Sequence, residues 1–378
     1  MSVLTRPGPV RTWAGFALDA LVLFGLAPAV LSDFRLNLLG KFLCFAIVAA
    51  GIGLAWGRGG MLTLGQGVFF GIGAYIMAMH LKIADAELRG DTVPDFMQIA
   101  GIRELPAYWA PFASPLVTLL AIAFVPALVA VVLGLGVFKR RVKGAYFAIL
   151  SQALAAAFAI LLIGQQSTGG SNGLNRFRTF FGYDLSDPVN KRMLFFIVAA
   201  ILLLVVAATR QLMNSRYGEL LVAVRDQEER VRFLGYDPAN VKVFAYAVAA
   251  FFAGIAGAMF VPIVGIISPA DVGIVPSIAF LIGVAIGGRS TLLGPVLGAI
   301  GVAWAQTALS ENFPSAWTYA QGLLFIVVVG FFPAGLAGIA SLRRRRKTVS
   351  ATVPAEPESP SDSDPDPTPE NTEMEPAR

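Results

Sequence analysis

Cysteine and histidine are almost absent from this chain of 378 residues, in which Cys44 and His80 are each the only residue of their type. A disulfide within the chain is therefore impossible, and a Cys/His metal site or a histidine-based catalytic triad lacks the residues to form. A G-x-x-x-x-G-K-[ST] phosphate-binding loop is also missing, because the only Lys-Thr pair, at 347 and 348, follows four arginines. We therefore expect no enzyme, no bound cofactor and no metal, and any ATP hydrolysis must occur on another subunit.

Charged residues are scarce as well, at 14% of the chain, whereas hydrophobic residues make up 56%. Many apolar runs are about 17 to 25 residues long, which is the length of helix that crosses a hydrocarbon core of roughly 30 Å. These runs are continuously apolar, unlike the alternating strands of a membrane β-barrel. The composition predicts an all-α, polytopic membrane protein.

Ten transmembrane helices account for the apolar runs. Because five is an odd number, two halves of five helices would have opposite topology, as in transporters built from a 5+5 inverted repeat. The predicted helices are 14–31, 37–56, 61–83, 112–138, 143–164, 193–209, 242–267, 274–288, 291–309 and 317–341.

Lysine and arginine orient the helices, since they are enriched in cytoplasmic loops. With both termini in the cytoplasm, nineteen basic residues lie inside and nine outside, apart from Arg378. Two ambiguities remain open in this topology. The "APA" at 27–29 resembles a signal-peptide cleavage site, although Asp19 interrupts the run and favours an uncleaved anchor. The segment 274–309 could be one crossing plus a re-entrant piece.

The chain divides at residue 347. Residues 1–347 form the predicted transmembrane domain. Residues 348–378 contain seven prolines and eight acidic residues with few large apolar side chains. Such a segment cannot bury enough surface to fold, so we expect a disordered acidic tail.

Uncharged polar side chains within the apolar runs are candidates for a solute path. Residues 51–75, "GIGLAWGRGGMLTLGQGVFFGIGAY", contain nine glycines with Thr63 and Gln66 among them. Glycine at this density allows close helix packing, or an unwound helix whose backbone faces a cavity. A second polar group, "GQQSTGGSNGLNRF" at 164–177, is an ordinary outer loop or a continuation of the same path. The path candidates are Thr63, Gln66, Ser151, Gln152, Thr168, Asn172 and Gln306.

Acidic residues are nearly missing from the predicted spans, with Asp19 as the exception. Carriers driven by protons or sodium commonly use carboxylates inside the membrane. The path therefore suits a neutral polar solute or a zwitterion, and the energy source must be external unless the protein is a passive channel.

A charged segment, "NSRYGELLVAVRDQEERVRFLGYDPANVK" at 214–242, separates two apolar runs and holds ten charged residues. Its apolar residues recur at helical spacing, and Gly235 and Pro238 mark its end. Five acids balance the basic residues, which favours docking in a protein groove over lying on a membrane. A solvated connector is the alternative. The predicted docking residues are Arg216, Glu219, Leu220, Leu221, Val224, Arg225, Glu228, Glu229, Leu234 and Gly235.

Three motifs resemble the permease subunits of branched-chain amino acid type ABC transporters. The charged segment with the following "FAYAVAAFFAGIAGAMF" resembles their cytoplasmic coupling segment and next helix. "GGMLTLGQGVFFGIGAYIMA" resembles an early "LSLGHG-FFG-GAY" stretch, with Gln66 where the family often has His. "GGRSTLLGPVLGAI" resembles a late "GG-GT--GP--GA" stretch. The outer loops "PDFMQIAGIRELPAYW" and "STGGSNGLNRF" resemble the urea-type permease more than the amino acid type, although residues 175–178 depart from it.

The resemblance implies a permease subunit of an ATP-driven importer in a bacterial inner membrane. It implies a heterodimer with a second permease, two cytoplasmic ATPase subunits and a periplasmic binding protein, with nucleic acid as no part of the system. Urea or a short-chain amide is the expected solute, and branched-chain amino acids are the alternative. A stand-alone channel for a neutral solute and a non-transporting membrane scaffold are the other hypotheses.

Overall fold

The computed structural model describes residues 17–142, 144–289 and 291–312, together with the isolated positions 15, 319, 322, 323 and 326. The predicted helix 317–341, the arginine cluster 343–347 and the tail 348–378 therefore lie outside the described residues, apart from those isolated positions. Within the described part, the protein is a bundle of α-helices with only four two-residue strands.

Eleven helices are described. They are α1 (Ala17–Val30), α2 (Asp33–Arg58), α3 (Gln66–Leu88), α4 (Asp95–Ile99), α5 (Pro115–Phe138), α6 (Ala145–Gly164), α7 (Pro188–Asn214), α8 (Arg216–Phe233), α9 (Pro238–Val264), α10 (Ile274–Gly287) and α11 (Gly294–Asn312).

Seven helical segments among the described residues are long and apolar enough to cross a membrane. They are α2, α3, α5, α6, α7, α9 and the segment Pro269–Gly287, which consists of a 3-10 turn followed by α10. The all-α polytopic fold is thereby confirmed. Nine of the ten predicted spans have a described helical counterpart, whereas the 5+5 repeat stays a prediction.

Local sequence explains the helix ends. Asp187 and Asp237 cap α7 and α9, each accepting a bond from a backbone N–H two residues on, and each precedes a proline at the first helical position. α9 ends at Gly265, where the backbone has a positive φ. These caps extend α7 beyond its predicted bounds of 193–209.

The helix predicted at 61–83 begins later, at Gln66, and continues to Leu88. Residues 59–65, here called the 59–65 turn, are not helical, and Gly60 has a φ of 69° within them. The α2 helix before the turn ends in a π-helical segment, Gly53–Arg58. As a result Thr63 lies in the turn, Gln66 is the first residue of α3, and Asp85 lies inside α3, although the sequence placed it outside a helix.

Helix α9 is central to the bundle. It packs against α2, α3 and α5, while α2 also packs against α7 and α11. The α3–α9 crossing is very close, because Gly73 and Gly257 each face backbone atoms of the other helix. A Cβ at either position would overlap those atoms, which explains small residues at this crossing.

The two ends of the bundle have different connections. One end holds the 59–65 turn, the start of α6, α8 and the α10–α11 turn; we call it the α8 end. The opposite end holds the loops 89–114 and 165–187. There β1 (Leu174–Asn175) pairs antiparallel with β4 (Ile266–Ile267), and β2 (Thr179–Phe180) pairs with β3 (Tyr183–Asp184).

Candidate functional site

Neutral polar side chains meet where α3 begins. The Ser151 hydroxyl on α6 accepts a hydrogen bond of 2.9 Å from the Leu64 backbone N–H. The Ser277 hydroxyl on α10 accepts one of 3.1 Å from the Gly67 N–H. Thr63 forms a side-chain hydrogen bond with Tyr246 on α9. We call Thr63, Gln66, Ser151, Tyr246 and Ser277 the polar cluster.

Gln66 stands out within the polar cluster. Its side chain is 1% exposed, and neither its Oε1 nor its Nε2 has a hydrogen-bond partner among the described residues. A buried amide without partners costs free energy, about 1 to 3 kcal/mol for each unsatisfied group. The site therefore holds one donor and one acceptor that a small solute could satisfy.

Only some of the predicted path residues come together. Thr63, Gln66 and Ser151 belong to the polar cluster, with Gln152 half-buried beside Ser151. Thr168 lies past the far end of α6, where its hydroxyl donates to the carbonyls of Leu162 and Gln165. Asn172 is exposed in the same loop.

Gln306 lies in a different cavity, formed by α2, α10 and α11 together with residues of α3 and α9. The volume of this cavity is about 150 Å³. Four phenylalanine rings line it and contact one another with centroids 5.2 to 6.5 Å apart; one pair is stacked and the others are tilted or edge-to-face. They are Phe45, Phe70, Phe260 and Phe280. Lys41 and Asp271 contribute opposite charges to its wall.

Sequence reasoning missed four residues of these two sites. Ser277 and Tyr246 lie within predicted helices, and their polar groups in apolar runs were the available signal. Lys41 also lies within a predicted span, where an ionisable side chain is by default a functional candidate. Asp271 precedes the predicted start of its helix, so nothing in the sequence placed it beside a cavity.

Helix α8, which falls within the charged segment, begins after a serine cap, since Ser215 accepts a bond from the Gly218 N–H. Of the apolar ridge predicted to dock on a partner, Leu221 and Val224 are buried against the chain itself and Leu220 is half-buried; Val231, farther along the helix, is also buried. Tyr217 also turns inward and donates a 2.7 Å hydrogen bond to the Val241 carbonyl. Burial of this ridge leaves the charged side of α8 and its C-terminal end facing outward.

The exposed side of α8 is rich in ion pairs. Arg225 pairs with Asp226 at 2.7 Å, and this hydrogen bond lowers the pKa of the Asp226 carboxyl against a smaller opposing effect of desolvation. Glu228 pairs with Lys242 at 2.7 Å. Beyond these pairs, Phe233 and Leu234 are 89% and 76% exposed, and Tyr236 is also exposed. We call Phe233, Leu234 and Tyr236 the apolar tip.

At the opposite end, α3 is bonded to both loops. The Lys82 ammonium pairs with Asp95 of α4 at 2.9 Å. Burial alone would raise the pKa of Asp95, but the hydrogen bond and charge of Lys82, the Phe96 N–H and Arg89 together lower it. The Asp85 carboxylate accepts from the N–H groups of Arg178 and Thr179 and from the Thr179 hydroxyl, at 2.8 to 3.1 Å.

Comparison with known proteins identifies the family. The sequence model described as "Branched-chain amino acid transport system / permease component" matches residues 34–332, which include every helix from α3 to α11. The chain belongs to this family. It is therefore a multi-pass membrane protein and the permease component of a branched-chain amino acid type ABC transporter.

Two relatives carry this permease name. The chain is 26% identical over 346 residues to the high-affinity branched-chain amino acid transport system permease protein LivM of Escherichia coli K12, with 85% of this chain and 74% of the relative covered. LivM of Salmonella typhimurium LT2 is similar to the same extent. No solved structure matches the chain.

Family membership also implies partners, because permeases of ABC importers work with other permease, ATPase and binding-protein components. The relatives are transport components and not enzymes.

Proposed function

We propose that this chain forms, with a second permease subunit, the translocation path of an ATP-driven importer for urea or short-chain amides in a bacterial inner membrane. The observation that carries this proposal is Gln66, whose buried amide lacks partners among the described residues. Urea and primary amides present a carbonyl and an N–H on neighbouring atoms, so one molecule can accept from Nε2 and donate to Oε1 at once.

The rest of the polar cluster fits the same solute class. Thr63, Ser151, Tyr246 and Ser277 are neutral hydroxyls, which can exchange hydrogen bonds with an uncharged solute without the cost of burying an ion. The resemblance of the outer loops to the urea-type permease adds support.

Uptake of radiolabelled urea tests this proposal. In a strain that lacks the chain, complementation with the wild-type gene is expected to restore saturable urea uptake, inhibited by acetamide and not by leucine. If urea uptake stays at the level of the deletion strain while leucine uptake returns, the solute assignment is wrong.

Branched-chain amino acids are the second candidate, because of the cavity of about 150 Å³ and because of the names of both relatives. An amino acid's ammonium would face Asp271, its carboxylate Lys41, and its apolar side chain the phenylalanine rings. Under this hypothesis Asp271→Asn abolishes leucine uptake, whereas a urea importer needs no ammonium ligand there.

The proposed ATPase contact is the apolar tip at the C-terminal end of α8. The apolar tip offers an exposed apolar surface among charges, which is what a helix inserted in a protein groove presents. Glu229 and Gly235 are exposed near the apolar tip, and Arg216 and Glu219 are exposed at the other end of α8. The inward-facing Leu221 and Val224 would then support the helix from beneath.

Co-purification with the ATPase subunits tests this contact. The double variant Phe233→Asp, Leu234→Asp is expected to lose the ATPase subunits, because two charges would enter an apolar groove. Tyr183→Asp, at an exposed position at the opposite end, is the matched control. Equal ATPase recovery in both variants would contradict docking through the apolar tip.

A stand-alone channel would behave differently. Proteoliposomes that contain this chain alone are expected to show no urea flux. Flux without ATP or partners would favour the channel, and normal uptake after changes in the polar cluster would favour a scaffold.

A further inference from the structure

Helix α8 contacts the end of α2 and the 59–65 turn. The Arg225 guanidinium donates a 2.8 Å hydrogen bond from Nη1 to the Gly57 carbonyl. Its aliphatic part covers Gly60 so closely that a Cβ there would lie 2.6 Å from Arg225 Cγ. Leu221 lies against Gly59, where a Cβ would be 3.2 Å from its Cδ1.

The Gly57 carbonyl is available for this bond because α2 is ending. The carbonyls of Leu54, Ala55 and Trp56 accept from the N–H groups of Gly59, Met61 and Gly60. The carbonyl of Gly57 comes next and accepts from the Arg225 side chain. The last carbonyls of a helix need partners from outside it, and here α8 supplies one.

A second contact fixes the other side of Gly57. The Arg289 carbonyl, in the turn between α10 and α11, lies where a Cβ of Gly57 would be. The Arg289 guanidinium lies over the Trp56 ring, 4.9 Å from its centroid. The end of α2 is thus held between α8 and the α10–α11 turn.

The 59–65 turn leads directly into the polar cluster. Thr63, bonded to Tyr246, follows Gly60 by three residues, and Leu64 is bonded to Ser151. Arg225 holds the near end of the turn at Gly57 and Gly60, and the far end is bonded at Thr63 and Leu64. Because both ends are held, we expect displacement of the near end to be passed to the bonds at the far end. Movement of Arg225 would therefore reach Thr63 and Gln66.

We infer that Arg225 is a positioning residue, which transmits displacement of α8 through the Gly57 carbonyl and the 59–65 turn to the polar cluster. It acts on this chain's own backbone and is not part of the surface that holds the ATPase. This inference rests on the proposed function, in which the ATPase subunits move α8.

The test uses the complete complex, purified and reconstituted with its ATPase subunits and binding protein. Arg225→Met keeps the aliphatic part that covers Gly60 and removes the donor to Gly57. Arg140→Met is the matched control, because Arg140 is an exposed arginine at the α8 end that does not belong to α8. ATPase co-purification, ATP hydrolysis and urea uptake per ATP hydrolysed are measured for each.

We expect Arg225→Met to retain its ATPase subunits and its hydrolysis, while uptake per ATP falls about tenfold or more, as suits a lost charge-assisted hydrogen bond. Arg140→Met should keep the wild-type ratio. An unchanged ratio in Arg225→Met would overturn the inference. Loss of the ATPase subunits would overturn it too, since Arg225 would then be a docking residue. Absence of ATP-driven uptake in the wild-type complex would contradict the proposed function itself.

A second measurement follows the turn directly. Cys44 is the only cysteine and is buried, so a Cys44→Ala, Leu62→Cys protein carries one thiol, on the 59–65 turn. Its rate of thiol labelling is expected to change between the nucleotide-free and vanadate-trapped complex with Arg225 present, and to stay constant with Arg225→Met. The same change in both backgrounds would refute transmission through Arg225.

Discussion

Gln66 shows that a side chain can be buried while its polar atoms lack hydrogen-bond partners. Its amide is fully buried, yet within the described structure its two polar atoms have no partners. Such a residue reduces stability, and under the proposed function a solute would supply the missing hydrogen bonds.

Replacement of Gln66 by leucine separates stability from transport. Gln66→Leu is expected to raise the melting temperature of the purified complex slightly, because an unsatisfied amide is removed from the interior. Urea uptake should fall about tenfold or more, in line with the loss of a hydrogen-bonded substrate contact. Gln211→Leu, on an exposed glutamine of α7, is the control. Normal uptake by Gln66→Leu would remove the main support for the solute assignment.

Asp85 contrasts with Gln66, because it is also buried but its carboxylate accepts hydrogen bonds. It fixes the loop 165–187 to α3 through three accepted hydrogen bonds. Asp85→Ala leaves two backbone N–H groups without their acceptor, at about 1 to 3 kcal/mol for each that stays buried. We expect faster proteolysis in this loop and a lower melting temperature. Asp91→Ala, at an exposed position, should change neither, and equal behaviour of both variants would contradict the role of Asp85.

Among the elements, α3 and α9 bring backbone very close to backbone. Gly73 faces Gly254, and Gly257 faces the Phe70 carbonyl. Small residues at such crossings gain packing between backbones that larger residues prevent.

The Gly73→Ala variant is therefore expected to lower the amount of folded permease in the membrane severalfold, since its methyl group would overlap backbone that cannot move aside. Gly136→Ala is a matched control: this glycine also lies in a helix, but no atom stands within 4 Å of its would-be Cβ. It should be neutral or mildly stabilising, because alanine favours a helix. Membrane content by immunoblot and melting temperature distinguish the two, and equal amounts of both would be unexpected.

The elements also show where sequence reasoning succeeds and where it fails. Apolar runs predicted α5, α6 and α9 nearly to their ends, because hydropathy reports burial in lipid or protein alike. The start of α3 was wrong by five residues because Ser151, 87 positions away, bonds the backbone of Leu64. Docking through α8 stays a prediction, but two of its predicted contact residues, Leu221 and Val224, are buried within the chain. Periodicity reveals an apolar face, but not whether that face contacts the same chain or a partner.

At the scale of the whole molecule, orientation in the membrane is a prediction from charge. Reporter fusions check it: alkaline phosphatase joined after residue 180 should be active, and after residue 235 inactive, because the α8 end carries the dense basic segments expected in the cytoplasm. A fluorescent protein after residue 378 should fluoresce. The reverse pattern would place α8 on the wrong side for any cytoplasmic ATPase.

The candidate sites combine residues that no single stretch of sequence contains. Thr63 and Gln66 were predicted because polar residues among glycines are conspicuous, whereas Ser277 and Tyr246 are single polar groups in long apolar runs. Their meeting depends on α6, α9 and α10 all packing around the start of α3. Such an arrangement is a property of tertiary structure, and local pattern does not encode it.

The α3–α9 crossing also has a mechanical meaning. If Gly73 acts as a fulcrum, α3 is a lever with an arm of about 10 Å towards Gln66 and one of about 22 Å towards Leu88, at 1.5 Å per residue. A displacement at the 59–65 turn would then be larger by a factor of about 1.7 at Asp85 and about 1.3 at Lys82, at 1.5 Å per residue. These two residues hold the two loops of the far end. A rigid α3 would thus convert a small displacement near the ATPase side into a larger displacement at the end where a binding protein is expected to deliver solute.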